Sequence, residues 1–123
     1  MSNILLISSK EQTERREGFA AQLRQKGYHT VTTESAAPGA LMSPINLIVL
    51  ITRNFDETAA LLRTTAHLKK PLLIWCEGAF RQRDSEYLAR QYNNIKGILA
   101  GERFPKTEDD LFTSLRQAML FLF

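Results

Sequence analysis

Asn46-Leu47-Ile48-Val49-Leu50-Ile51-Thr52-Arg53-Asn54 decides the fold. From Leu47 to Ile51 every side chain is apolar, and three of the five are β-branched, which suits a strand buried on both faces rather than one that alternates between core and water. A strand of that kind belongs to a parallel sheet with helices on both sides. Its end is equally informative: Thr52, Arg53 and Asn54 follow, and no carboxylate stands there. The nearest acids, Asp56 and Glu57, fall at the start of the next helix.

Upstream, Ile4-Leu5-Leu6-Ile7 has the same texture and ends in Ser8-Ser9. Ser9, with Gln12 three residues on, forms a capping-box pattern opening a helix that carries Phe19, Ala20 and Leu23 on one stripe and stops at Gly27. His29-Thr30-Val31-Thr32-Thr33 predicts a second strand. Residues 34–44 include Pro38, Gly39 and Pro44, leaving room for at most a turn of helix around Ala40-Leu41-Met42. Downstream, a helix is expected from about Phe55 to Leu68 with Ala59, Leu62 and Ala66 toward the sheet. Pro71 then starts a fourth strand, Leu72 to Cys76, which Gly78 breaks. A charged helix from about Arg81 to Tyr92 presents Tyr87, Leu88 and Tyr92 inward, Ile95 to Ala100 forms a fifth strand, and a second capping box, Thr107 to Asp110, opens the last helix.

Strands that alternate with helices and connect by right-handed crossovers leave few topologies. For five strands the expected architecture is a flavodoxin-like three-layer α/β sandwich with a parallel sheet in the order 2-1-3-4-5. Its ligand crevice lies at the carboxyl ends of strands one and three, lined here by Ser8, Ser9, Thr52, Arg53, Asn54 and Cys76.

Composition narrows the function classes. With 123 residues, 44% apolar and 24% charged, the chain suits one domain over 1–123 and is short for two. No apolar run approaches the roughly 18–20 residues of a bilayer span, and the N-terminus has neither a basic leader nor a signal-type apolar segment, so a cytoplasmic protein without membrane contact is expected. A single cysteine, Cys76, excludes an internal disulfide and a multi-cysteine zinc site. His29 and His67 lack the i,i+4 partner of a helical metal pair, and neither a metal nor a cofactor is expected. The net charge of +3 comes from cations interleaved with acids rather than gathered in a stripe, which argues against direct nucleic-acid binding.

In element order, length and the texture of "ILLISS", "NLIVLI", "PLLIWC" and "IKGILAG", the chain resembles a response-regulator receiver domain. That resemblance implies signalling by phosphoryl transfer: two acids after strand one hold magnesium, an aspartate ending strand three takes the phosphoryl group, a Ser or Thr ending strand four senses it, and a lysine after strand five pairs with it. Aligned by strand ends, those positions are Ser8 and Ser9, Ile51, Cys76 and Gly101, and all five depart from the pattern. Serine hydroxyls bring no charge to offset the dehydration of magnesium, isoleucine cannot attack phosphorus, and glycine cannot neutralise developing charge. The expectation is therefore a pseudo-receiver: a noncatalytic, phosphorylation-independent interaction or dimerisation module in bacterial signalling or transcription regulation. The segment "NNIKGIL", followed by a short acidic cap and a helix, is similar to the receiver-like domains of LuxR-type biofilm regulators.

An enzyme alternative rests on "ISSKEQ" and "HLKKPLLI", which are similar to TIR and nucleoside deoxyribosyltransferase-like domains. Those nucleotide-processing domains place a glutamate on the helix after strand three. Counting back from Lys70-Pro71, the position here is Leu61, with Glu57 one turn earlier.

Two further residue sets stand out. Ser9, Lys10, Arg53 and Asn54 could bind an anion at a strand-to-helix turn, although Ser9 as a helix cap and Arg53 as a solvated loop residue is the plainer reading; nothing in the sequence points to a particular small-molecule ligand. Cys76 has no catalytic partner in view and reads as a core residue. On the last helix, Leu111, Leu115, Ala118 and Leu122 can share one buried stripe, which Phe112, Met119, Phe121 and Phe123 cannot all join. Phe112, Met119 and Phe123, with Arg90 and Lys96, form a candidate interface for a protein partner or a second copy.

Overall fold

A computed structural model describes residues 3–34, 45–65 and 69–122, with the backbone alone for Glu108 and residues 118–122. Its elements are β1 (Asn3–Ser8), α1 (Thr13–Gln25), β2 (His29–Thr33), β3 (Leu47–Thr52), α2 (Phe55–Thr65), β4 (Leu72–Cys76), α3 (Gln82–Gln91), β5 (Ile95–Ala100) and α4 (Glu108–Leu122). The five strands form one parallel sheet in the order β2-β1-β3-β4-β5, the flavodoxin-like topology that the alternation of apolar strands and helices requires.

Because successive strand residues point to opposite faces, the apolar runs split into two cores. Ile4, Leu6, Val49, Ile51, Leu73 and Trp75 pack with Ala20 and Leu23 of α1 and Leu111, Phe112 and Leu115 of α4. On the other face Leu5, Ile7, Ile48, Leu50, Ile74 and Cys76 pack with Leu62 of α2 and Leu88 of α3. Each fully buried Ile or Leu contributes about 1.5–3 kcal/mol of transfer free energy, so these strands, buried along their whole length in β3 and β4, hold the sheet together.

The turns follow the same local logic. Gly27 takes φ +91; its N–H bonds to the Arg24 carbonyl at 3.0 Å and the Tyr28 N–H reaches back to Leu23 at 3.1 Å. That pair of bonds is a Schellman stop, and it turns α1 directly into β2. At the other end of the chain the Thr107 to Asp110 capping box forms as expected, with the Asp110 N–H donating to Thr107 Oγ1 at 3.1 Å and the Thr107 N–H to Asp110 Oδ2 at 3.3 Å.

Several expectations are corrected. Ser9 does not cap α1 with its side chain; Lys10–Gln12 forms a 3-10 turn and the α-helix begins at Thr13. β3 extends through Thr52 and starts at Leu47 rather than Asn46. The buried stripe of α2 is Thr58, Leu62 and Thr65, with Ala59 only half-buried; the two threonine hydroxyls donate to the Asn54 and Leu61 carbonyls at 2.9 Å, which lets a polar residue face the sheet. On α3 only Leu88 is fully inward, Tyr92 is half-buried, and Tyr87 is 51% exposed, because it lies about 100° around the helix from Leu88. Phe112, expected as leftover surface, is buried beside Leu111 and Leu115, with the Lys26 ammonium 5.2 Å from its ring centroid. Of the candidate interface, the Met119 side chain and Phe123 lie outside what the structure describes, as do the side chains of Phe121 and of Ala118 and Leu122 of the expected stripe. Ala66, His67 and the turn expected around Ala40 to Met42 lie outside the described residues.

Candidate functional site

The carboxyl ends of β1, β3 and β4 meet where the strand order reverses. Ile51 lies in register between Ser8 of β1 and Trp75 of β4 and is fully buried in the α1–α4 core. As an isoleucine without exposed surface, it brings no reacting group to the crevice. Thr52 points to the opposite face, where its hydroxyl shares a 2.7 Å hydrogen bond with Thr58. Cys76, its neighbour in register, is buried in the second core.

Ser8 is buried, and its hydroxyl donates to the Ser9 carbonyl at 2.9 Å while accepting from Arg16 Nη1 at 3.0 Å. The same Nη1 bonds to the Thr33 carbonyl at 3.1 Å, so one guanidinium ties together the ends of β1 and β2. Arg16 is only 4% exposed; among the described residues its carboxylate contact is Glu17, at 3.4 Å. Sequence reasoning missed this residue, although its spacing to Ala20 and Leu23 puts it on the buried stripe of α1. Magnesium does not fit the residues present here: the Ser8 hydroxyl already serves a guanidinium, and a second cation beside it lacks the hard carboxylate ligands that offset dehydration. Among the described residues no group of three or more His, Cys, Asp or Glu side chains is arranged to hold a metal.

Glu57, which the sequence placed at the start of the next helix and one turn before the enzyme alternative's glutamate position, enters the crevice. Its carboxylate, 14% exposed, accepts from Ser9 Oγ at 3.2 Å and lies 3.5 Å from Arg53 Nε. The candidate anion set is therefore brought together around the chain's own carboxylate. Asn54 is used differently: its Oδ1 accepts the Glu57 N–H at 2.9 Å and caps α2. Lys10 is exposed. Glu11 is held below the ordinary carboxylate value, first by its own backbone N–H, with Arg53 and Lys10 adding positive field. Having one proton, Ser9 serves one carboxylate at a time, and the geometry gives it to Glu57. Leu61, where the enzyme alternative places its glutamate, is half-buried against the second core.

Gly101, directly after β5, is the position that the sequence resemblance aligns with a receiver's lysine. Its φ is +62, and a Cβ there would lie 3.1 Å from Ala79 atoms, so the position is committed to a tight turn. Gly78 is committed in another way, since a Cβ would fall 2.7 Å from the Arg53 carbonyl, which its own N–H binds at 2.9 Å.

Beside the crevice a groove of about 740 Å³ runs between α1 and the β5–α4 connection, lined by Gln12, Arg15, Phe19, Glu77 and Phe104 among others. Arg15 Nη1 bridges it to Glu77 at 2.9 Å and its guanidinium sits 5.1 Å from the Phe104 ring centroid. That hydrogen bond, then the charge behind it, lowers the Glu77 carboxyl below its ordinary value. The buried Gln12 amide lies close enough to Glu77 to assist without reaching hydrogen-bond geometry.

No protein-family model and no curated protein sequence matches the chain. Solved structures do. The chain is similar to a response regulator from Desulfuromonas acetoxidans, at 15% identity and a TM-score of 0.67 over 100% of both chains. It is also similar to the chemotaxis response regulator CheY4 of Vibrio cholerae, at 15% identity and 0.66 over 96% of this chain and 98% of that one. A two-component response regulator from Clostridium difficile matches at 13% identity and 0.65 over 98% and 97%. At these identities the likeness establishes the fold: a flavodoxin-like sheet of five parallel strands in the arrangement of response-regulator structures.

Proposed function

We propose that the chain is a pseudo-receiver: a noncatalytic, phosphorylation-independent module that acts by binding protein in bacterial signalling or transcription control, as in LuxR-type biofilm regulators. The observation that carries this reading is Ile51, fully buried at the carboxyl end of β3, where the receiver resemblance puts its phosphoryl-accepting aspartate. Around it, the polar groups a phosphoryl site would use already have partners: Ser8 with Arg16, Ser9 with Glu57, Thr52 with Thr58. Such a crevice is a finished piece of structure rather than a waiting site. Amide NMR with magnesium and beryllofluoride tests the reading. The spectrum is expected to stay unchanged, and saturable shifts centred on residues 51–54 and 76–78 would contradict it.

The output surface is assigned to α3, β5 and α4, through which the module pairs with a protein partner or a second copy. Arg90 and Lys96 remain candidates there because both are exposed, whereas Phe112 is withdrawn as a core residue. Light scattering across a concentration series checks self-association. A mass rising toward twice the monomer, and falling back in Arg90→Glu/Lys96→Glu, is expected; a monomer at every concentration removes the second copy as the partner.

A further inference from the structure

A small cavity of about 180 Å³ lies beside edge strand β5, between it and α4, and its polar lining consists of Lys96, Arg103, Ser114 and Gln117 over a floor that includes Leu73 and Gly97. It differs in kind from the two larger cavities, which carry Glu11, Glu14 and Glu77 in one case and Asp56 and Asp84 in the other. No carboxylate is found among the described residues lining the small cavity. The ion pairs among the described residues use Arg15, Arg16 and Arg53, so Lys96 and Arg103 line one cavity with neither in an ion pair among those residues. Like charges held together repel, and an anion between them turns that repulsion into attraction.

We infer that this cavity is a binding site for a phosphate group. Lys96 and Arg103 can only donate hydrogen bonds, and the Ser114 hydroxyl and Gln117 amide can donate as well as accept, so all four polar residues of the lining can serve an anion while the two cations disfavour a positive ligand. The planar fork of Arg103 suits two oxygens of a tetrahedral anion, and the Lys96 ammonium supplies a point charge for a third. A volume equal to roughly six water molecules of liquid accommodates one phosphate with part of its hydration shell. The site lies on the α4 side of β5, away from the strand-end crevice, and does not depend on the crevice being inert.

Amide NMR titration of the intact chain with inorganic phosphate, at constant ionic strength maintained with chloride, tests the proposal. Saturable shifts are expected at Gly97, Ile98, Leu99, Arg103 and Ser114. In Lys96→Gln/Arg103→Gln, whose exposed positions leave the fold intact by spectral dispersion, binding falls at least about tenfold, a loss of roughly 1.4 kcal/mol. Lys70→Gln, which removes an exposed cation outside the cavity, leaves it unchanged. Glycerol 2-phosphate in a parallel titration separates sources: equal binding assigns the site to phosphomonoesters, and loss of binding assigns it to free phosphate. Non-saturating shifts spread over basic residues generally, equal response to acetate, or unchanged affinity in the double variant would overturn the proposal.

Discussion

Ile51 and Arg16 fix the chemical character of the strand ends, one by excluding a charge and the other by burying one. Ile51 packs in the same core as Val49, Trp75 and Leu111, and an aspartate in its place would be an unpaired buried carboxylate, which costs several kcal/mol unless it takes up a proton. For a chain of this size, 3 kcal/mol corresponds to a fall of roughly 10 °C in melting temperature. Ile51→Asp is therefore expected to melt at least that much lower, as followed by circular dichroism, without acquiring magnesium affinity. Unchanged melting with new magnesium binding would mean that the acidic site is only one substitution away. Arg16 was not legible as a site residue, nor Glu57 as the partner of Ser9, because a lone cation or carboxylate on a helix gives no sign of which strand-end carbonyl or hydroxyl it will meet. Ile51 was legible, since its character depends only on its place in an apolar run.

Between elements, the two capping-box patterns show how far local sequence reaches. Thr107 and Asp110 form theirs because both partners are local and exposed. Ser9 has the same signature, yet its hydroxyl is drawn to Glu57, 48 residues away in sequence, and the helix starts one turn late. Arg15 of α1 and Glu77 after β4 make another cross-element tie, with Glu77 53% exposed. The folded-state value of Glu77 is lowered, so the bond's contribution is present above the ordinary value of 4.5 and is lost as pH falls below it through the folded value. Solvent screening limits that contribution to about 1 kcal/mol or less. In urea unfolding, Glu77→Gln is expected to be slightly less stable than the native chain at pH 7, with the gap narrowing as pH falls below 4.5. A gap that does not change with pH would show that Glu77 acts through packing instead of charge.

At the scale of the whole molecule, topology was the most legible feature. Five short apolar runs separated by helical patterns admit few arrangements, and the observed order follows from them. Packing of the last helix was less legible: Phe112 lies next to Leu111 in sequence, and only the approach of α1 with Lys26 shows that both are covered. In the proposed reading, what the molecule does turns on its strand ends, where Ile51 is fully buried at the carboxyl end of β3. The most direct measurement is the intact mass of the chain after incubation with acetyl phosphate and magnesium at neutral pH. An unchanged mass is required by a buried Ile51 and an arginine-tied Ser8, whereas a stoichiometric, acid-labile phosphoryl adduct would contradict the noncatalytic reading.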